Sequence, residues 1–210
     1  MKTFSDPRSF FSQNDQKFMY EHVISKLDNP VAIAEIGNLT GVSTRFFSQN
    51  LPEAQLYSID KFQHKLPPLD DNVEVIISDS TDWEPPCWLD FVYLDGDHSV
   101  EKVTQELKHY SQHTDIIAGH DIFLVTLAVF DFFKTVPYRA ELQLANNCAS
   151  WVMKLHKKDV IHTIKDSSGI EDRMHRLEVM AIEHDRQREI LKEIVYMQQR
   201  NIDLIMEKLG

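Results

Sequence analysis

The chain has 210 residues, a formal net charge of −11 at pH 7 and 42% apolar residues. These values indicate one sizeable folded domain with room for an appendage, and they exclude a wholly disordered chain. No apolar stretch approaches the roughly 20 residues of a membrane-spanning helix. The polar N-terminus and the isolated cysteines Cys87 and Cys148 are typical of a reduced cytoplasmic protein.

Acidic residues are concentrated in one part of the chain. Residues 51–106 contain 13 acids and 3 bases. A nucleic-acid-binding surface carries the opposite excess, so we expect no nucleic-acid partner. An acidic stretch is usually a solvated face, but it can also gather carboxylates around a cation.

Helices and strands are predicted to alternate along the chain after a first helix in "SQNDQKFMYEHVISKL", which makes residues 1–29 an N-terminal helical segment. The strands are "VAIAEIG", "QLYSID", "VEVIIS", "LDFVYLD" and "DIIAGHD". Helices are predicted at 43–50, 99–112 and 123–136. "YRAELQLA" and "CASWVMKL" are two further strands without a helix between them. Alternation predicts a doubly wound parallel sheet, and the last pair predicts an antiparallel edge.

A glycine turn follows the first strand, in "AEIGNLTGVS". Gly37 and Gly41 would let the backbone approach a ligand closely, and Asp60 ends the next strand, where a ribose diol would be held. Neither G-K-[ST] nor G-x-G-x-x-G occurs, so a phosphate cradle is not predicted. Glu35 beside the turn would repel phosphate and attract a cation. The pattern therefore favours a positively charged nucleoside cofactor such as S-adenosylmethionine.

Five segments in order carry a family resemblance: "AEIGNLTGVSTRFF", "YSIDKF", "ISDST", "LDFVYLDGDHSVEKVTQEL" and "DIIAGHDI". Together they resemble the class I S-adenosylmethionine-dependent methyltransferases, and most closely the small-molecule O-methyltransferases that act on sugars and antibiotics. The resemblance implies a methyltransferase domain at 30–160. Its expected fold is an α/β, Rossmann-like, doubly wound seven-stranded sheet whose last strand is antiparallel.

The resemblance also implies roles for residues of the cofactor site. The methionine end would be lined by Gly37, Asn38 and Gly41, with Ser43 near its carboxylate and Glu35 helping to hold the ammonium group. The ribose would be bound by Asp60, and the adenine would contact Asp79 and Ser80. This chain departs from the commonest pattern by having Asn38 and Leu39 between the glycines.

Polar residues also follow the fourth and fifth strands, where neighbouring parallel strands end at one sheet edge. The resemblance places metal ligands at Asp95, His120 and Asp121, and the expected ion is Mg²⁺ or Mn²⁺. Most related enzymes have a carboxylate or amide at the position of His120, and imidazole shifts the preference toward Mn²⁺, Fe²⁺ or Zn²⁺. The alternative is that these residues cap a turn and the following helix.

A general base is needed because a sugar or alkyl hydroxyl is a weak acid. A cation on the acceptor oxygen would lower its pKa. Asp97 is the first candidate for the base and His98 the second. The expected acceptor is a small-molecule hydroxyl, on a sugar or other natural product, although a phenol or an amine stays open.

The C-terminal segment, 168–210, has a different pattern. Ser168 and Glu171 form a capping-box sequence, and apolar residues then recur in alternating steps of four and three from Ile170 to Leu209. This pattern predicts a long helix that forms a coiled coil and a homo-oligomer, and the alternative is a helix packed on its own domain.

Two function classes remain: a metal-assisted O-methyltransferase, or a non-catalytic scaffold that binds a partner through this helix. The carboxylates at the sheet edge favour the first.

Overall fold

The computed structural model describes residues 1–7 and 9–160. The predicted coiled coil at 168–210 lies outside the described residues. The helices are α1 (Gln13–His22), α2 (Val42–Asn50), α3 (Val100–Tyr110) and α4 (Ile122–Thr135). The strands are β1 (Ala32–Ile36), β2 (Gln55–Asp60), β3 (Val73–Ile77), β4 (Phe91–Leu94), β5 (Ile116–Gly119), β6 (Tyr138–Leu144) and β7 (Trp151–Val160).

The strands form one seven-stranded sheet in the order β3-β2-β1-β4-β5-β7-β6. Strands β1 to β5 pair in parallel, and β7 runs antiparallel to both of its neighbours. The prediction of a doubly wound sheet with an antiparallel last strand is confirmed. That last strand lies between β5 and β6, so β6 and not β7 forms the edge.

Strand β1 is buried at all five positions, as expected of a central strand in a parallel sheet. The strand order reverses on either side of β1, since β2 pairs on one edge and β4 on the other. At such a reversal the loops leaving adjacent strands diverge, and a crevice opens at their carboxyl ends. The topology therefore fixes where a ligand can bind.

Helix α1 is part of the same core as the sheet. Ser12 caps its N-terminus in a reciprocal capping box with Asp15, and the buried Phe18 and Met19 pack into the main apolar cluster. The helix ends at His22, earlier than the sequence pattern predicts, and a short 3₁₀ turn at Ile24–Lys26 follows. The described residues contain no helix that is long and apolar enough to cross a membrane.

Candidate active site

A cavity of about 550 Å³ opens at the carboxyl ends of β1 and β4, where the strand order reverses. Ten of the predicted site residues line it: Gly37, Asn38, Ser43, Asp60, Asp79, Ser80, Asp95, Asp97, His98 and Asp121. The other three, Glu35, Gly41 and His120, lie outside its lining. The structure thus brings six of the eight predicted cofactor residues and both predicted catalytic residues to one cavity.

The glycine turn has the close approach that its sequence indicates. Gly37 has a φ of +86°, and a Cβ there would lie 2.3 Å from the carbonyl oxygen of Asp95. Gly41 has a φ of +72° immediately before α2, and a Cβ would lie 2.9 Å from Pro67. Both positions need glycine for conformation and for space.

Glu35 is a fully buried carboxylate near the end of β1, two residues before Gly37. Its Oε2 accepts hydrogen bonds from Thr44 Oγ1 at 2.6 Å, on α2, and from Ser58 Oγ at 3.0 Å, on β2. Complete burial raises the pKa of Glu35 to about 7, although hydrogen bonds from serine and threonine hydroxyls oppose the rise. These hydrogen bonds therefore join β1 to helix α2 and to strand β2.

Asp60 lies at the end of β2 and lines the cavity. Its Oδ2 accepts a hydrogen bond from the backbone N–H of Asn38 at 3.0 Å, and its Oδ1 accepts one from Phe62 at 2.9 Å. His64 Nε2 lies 3.3 Å from Oδ2. These contacts hold the carboxylate beside the glycine turn, in a position suited to a ribose diol.

Two side chains of α3 complete the end of the cavity predicted for adenine. Lys102 pairs with the Asp79 carboxylate, which also accepts a hydrogen bond from the Thr81 N–H at 3.0 Å. The Lys102 hydrogen bond is the main reason that the pKa of Asp79 falls to about 2. Glu106 Oε1 accepts a hydrogen bond from Ser80 Oγ at 2.6 Å. Neither Lys102 nor Glu106 was predicted, because charged residues of an amphipathic helix are usually solvated, whereas Glu106 is buried here.

Two buried oxygen atoms in the cavity wall fit a ligand that donates hydrogen bonds. Asn38 Oδ1 and Glu106 Oε2 have no hydrogen-bond partner among the described residues, and both side chains are at least 97% buried. An unpaired buried acceptor is costly unless a ligand supplies a donor. An ammonium group and an adenine amino group, as in S-adenosylmethionine, are donors of the required kind.

Replacing Glu106 with glutamine should make the free energy of unfolding fall less as the pH rises. Burial raises the pKa of Glu106 to about 7 from an ordinary value of 4.5, so between these values the folded state binds more protons than the unfolded state. Rising pH therefore favours unfolding, by up to about 3 kcal/mol for this group. Urea unfolding at pH 5 and pH 8 should show a smaller decline for Glu106→Gln than for the unmodified chain.

The matched control is Glu101→Gln, an exposed residue on the same helix. It should leave the difference in unfolding free energy between the two pH values unchanged. An equal decline in Glu106→Gln and the unmodified chain would show that Glu106 ionises normally in the folded state.

A cluster of two acids and two imidazoles lies at the ends of β4 and β5. We call it the edge cluster: Asp95, His98, His120 and Asp121. Asp121 Oδ2 lies 3.0 Å from His98 Nε2 and 3.2 Å from His120 Nδ1. Asp95 Oδ1 lies 3.8 Å from each of the same two nitrogen atoms. The hydrogen bond with Asp121 is the main reason that the pKa of His98 rises to about 9.

The backbone around His120 is held by three contacts. Its N–H donates to the carbonyl of Leu94 at 3.1 Å, and its carbonyl accepts from Trp151 Nε1 at 3.1 Å. A Cβ at Gly119 would lie 2.6 Å from Trp151, so β5 and this tryptophan pack closely. Asp121 follows with a φ of 49°, a left-handed conformation that aspartate tolerates better than most residues.

Asp15 of α1 forms a second layer behind His120. Its Oδ1 lies 3.3 Å from His120 Nε2 and accepts a hydrogen bond from Ser150 Oγ at 2.7 Å. Burial alone would lower the pKa of His120, but contacts with Asp121 and Asp15 raise it to about 10. Asp15 was missed by sequence analysis because it lies on a helix more than a hundred residues away.

The Asp97 side chain lines the same cavity as the edge cluster, but its hydrogen bond is with a different partner. It is exposed, and its Oδ1 accepts a hydrogen bond from the backbone N–H of Ser99 at 2.7 Å. Hydrogen bonds from Ser99 are the main cause that lowers the pKa of Asp97. This carboxylate thus shapes the turn into α3, whose N-cap is Ser99.

The predicted metal ligands fit a divalent cation. Each of Asp95, His120 and Asp121 offers one ligand atom, and these atoms lie within 4.8 Å of one another. His120 Nδ1 is buried and lacks an aligned hydrogen bond, although two carboxylates lie at ion-pair distance. A carboxylate behind the second ring nitrogen, as Asp15 provides here, is the usual support of a metal-binding histidine.

Comparison with known proteins agrees with this fold. Residues 34–122 match the family model described as a methyltransferase domain. The precorrin-6y C5,15-methyltransferase of Geobacter metallireducens GS-15 aligns with a TM-score of 0.54 and 11% identity, over 72% of this chain and 92% of that one. Comparison with curated protein sequences found no match.

Two further structures align with lower scores. A candidate O-methyltransferase from Nostoc punctiforme PCC 73102 has a TM-score of 0.48 and 13% identity, and the match covers 68% of this chain and 54% of that one. This chain thus spans about half of that protein. TrmK from M. capricolum, in complex with S-adenosylhomocysteine, has a TM-score of 0.48 and 16% identity, over 70% of this chain and 72% of that one.

The sheet and the sequence match agree on the kind of fold. The chain has a Rossmann-like methyltransferase fold, and residues 34–122 match the model of a methyltransferase domain. The fold does not set the acceptor, because one fold supports many chemistries. The acceptor has to be argued from the residues around the cavity.

Proposed function

We propose that this chain is an S-adenosylmethionine-dependent methyltransferase that methylates a hydroxyl oxygen of a small molecule, with a divalent cation held by Asp95, His120 and Asp121. One observation carries the proposal: the edge cluster and the predicted cofactor residues line or adjoin the same cavity. When bound, S-adenosylmethionine supplies an electrophilic methyl group on a sulfonium that leaves as a neutral thioether. A sugar or another natural product with a hydroxyl group is the acceptor class that we propose.

The chain's own residues would bind and orient the cofactor. Asp60 would accept hydrogen bonds from the ribose hydroxyls, and Asn38 would accept one from the ammonium group. Glu106 and Ser80 lie together at the far end and would contact the adenine. Positioning supplies much of the rate in a displacement of this kind, because the oxygen, carbon and sulfur need only be aligned.

The edge cluster would activate the acceptor. A cation held there lowers the pKa of a coordinated hydroxyl. His98 lines the cavity with its Nε2 directed at Asp121, whereas Asp97 is bound to the backbone of Ser99. A cation bound to Asp121 would compete with His98 for that carboxylate and would lower the pKa of the imidazole from the value of about 9 that it has beside the unbound carboxylates. On this basis we propose His98, in preference to Asp97, as the group that takes the hydroxyl proton. The second imidazole, His120, would be held in place by Asp15.

Replacing Asp60 with alanine should weaken S-adenosylmethionine binding by about tenfold to a hundredfold. The change removes the acceptor of both ribose hydroxyls, and hydrogen bonds to charged groups contribute about 1.5–3 kcal/mol. Calorimetric titration of both chains would measure the effect. The ordinary backbone of β2 accommodates alanine, so circular dichroism should show an intact fold.

Asp60→Asn is the matched control because its amide oxygen can still accept from the backbone N–H of Asn38. It should bind the cofactor with an affinity between those of the unmodified chain and Asp60→Ala. Equal affinity in all three chains would remove Asp60 from the cofactor site.

Methyl transfer from labelled cofactor to a panel of sugars, phenols and amines would test the acceptor class. Labelling of amines alone would overturn O-methylation.

A further inference from the structure

A second group of metal-ligating side chains lies at the C-terminal end of α3, outside the lining of the cavity. We call it the α3-end cluster: Glu84, His109 and His113. Each residue offers one ligand atom, and the three atoms lie within 4.8 Å of one another. The cluster contains two imidazoles and one carboxylate, a ligand set typical of zinc sites.

His109 is oriented as a metal-binding histidine would be. Its Nε2 lies 3.0 Å from the carbonyl oxygen of Trp83. A carbonyl oxygen can only accept, so Nε2 carries the hydrogen, and in the neutral imidazole Nδ1 then keeps a free lone pair. Histidines that bind metals commonly donate their other ring N–H to a backbone carbonyl in this way.

His113 follows His109 by four residues and lies in the turn just after the end of α3. The centroids of the two rings are 5.2 Å apart. His113 Nε2 is 3.6 Å from Glu84 Oε2, which is too long for a hydrogen bond but suits two ligands of one ion. The nearby Lys157 ammonium would oppose a cation, but Asp115 Oδ1 lies 3.1 Å from it and offsets its charge.

We propose that Glu84, His109 and His113 bind one Zn²⁺ ion, with water in the remaining position. Two imidazole ligands disfavour Mg²⁺ and Ca²⁺, which prefer oxygen atoms. The ion links the end of α3 to the segment that carries Trp83, whose ring packs 5.4 Å from that of Tyr57. The bound ion would therefore cross-link the segment between β3 and β4 to α3, the helix that carries Glu106.

Calorimetric titration with ZnCl₂ tests this site without any cofactor or acceptor. His113→Ala should weaken Zn²⁺ binding at this site at least about tenfold, since it removes one of three ligands. Glu84→Gln should weaken it as well, and the 73% exposure of this side chain makes a folding defect an inadequate explanation. Zn²⁺ should raise the melting temperature of the unmodified chain more than that of either variant.

Two controls separate this site from other sites. His156→Ala removes a histidine that lies 3.3 Å from Glu141 but belongs to no group of three metal-ligating side chains among the described residues, and it should leave Zn²⁺ affinity unchanged. Asp121→Asn alters the edge cluster and should keep Zn²⁺ at the α3-end cluster. The proposal is overturned if His113→Ala and Glu84→Gln bind Zn²⁺ as the unmodified chain does, or if only Asp121→Asn loses it.

Discussion

Replacing Asp121 with asparagine should lower methyl-transfer turnover by about a hundredfold to a thousandfold, the range seen when one charge-stabilising group is removed from an active site. Asparagine retains the left-handed backbone that position 121 requires, since it adopts this conformation as readily as aspartate. The change therefore removes a charge without straining the start of α4. Cofactor affinity should stay within about threefold, because Asp121 faces His98 and His120.

A metal-binding measurement makes this prediction independent of the acceptor. Mn²⁺ affinity, followed by electron paramagnetic resonance, should fall at least about tenfold in Asp121→Asn when one of three protein ligands is lost. Thorough chelation should also abolish turnover in the unmodified chain, and added Mn²⁺ or Mg²⁺ should restore it. Turnover that survives chelation would remove the cation from the mechanism.

Asp97→Asn is the matched comparison, because Asp97 lines the same cavity but bonds to Ser99. With His98 as the proton acceptor, Asp97→Asn should keep turnover within about threefold of the unmodified chain. A loss as large as that of Asp121→Asn would instead support Asp97 as the base.

Replacing Gly37 with alanine should destabilise the domain by about 2–5 kcal/mol, because a left-handed backbone costs an L-residue about 1–2 kcal/mol and overpacking adds about 1–3. The new Cβ would lie 2.3 Å from the carbonyl oxygen of Asp95, a backbone atom at the end of β4. Relief of this clash moves the glycine turn or the β4 end, so cofactor binding should be lost as well. Urea unfolding measures the first effect and calorimetry the second.

Gly96→Ala is the control for this substitution. A Cβ at Gly96 would meet its nearest neighbour, a methyl group of Ile36, at 3.4 Å, which is ordinary contact. This variant should lose less than about 1 kcal/mol of stability, as surface changes usually do. If Gly37→Ala were as stable as Gly96→Ala, the close approach of the glycine turn to β4 would be wrong.

The sequence predicted the sheet well because its central strands are continuous apolar runs that end in polar residues. Gly37 and Asp60 were predicted as neighbours for the same reason, since parallel strands place their carboxyl ends at one edge. Helix α1 was also predicted, because its N-cap at Ser12 and its buried apolar face follow from the local sequence pattern. Its end at His22 was not, because helix ends are set by backbone contacts that leave a weak signal in sequence.

The supporting residues could not be predicted because they come from distant parts of the chain. Asp15 and His120 are brought together only when α1 packs beside β5. Glu106 is a charged residue of an amphipathic helix, and only its burial of 99% in the structure distinguishes it from a solvated acid. Glu84 was likewise an unremarked acid in a loop, and its nearness to two histidines depends on tertiary folding.

Binding of S-adenosylmethionine to the unmodified chain tests the central proposal most directly. The cavity, the glycine turn and Asp60 predict one site per chain, which calorimetric titration should detect at micromolar to submillimolar cofactor concentration. Adenosine 5′-monophosphate, which carries a phosphate in place of the cationic methionine portion, should bind far more weakly. One-to-one binding that is weakened in Asp60→Ala is the predicted result. No detectable binding at millimolar S-adenosylmethionine, in a chain with an intact fold, would contradict the proposed function.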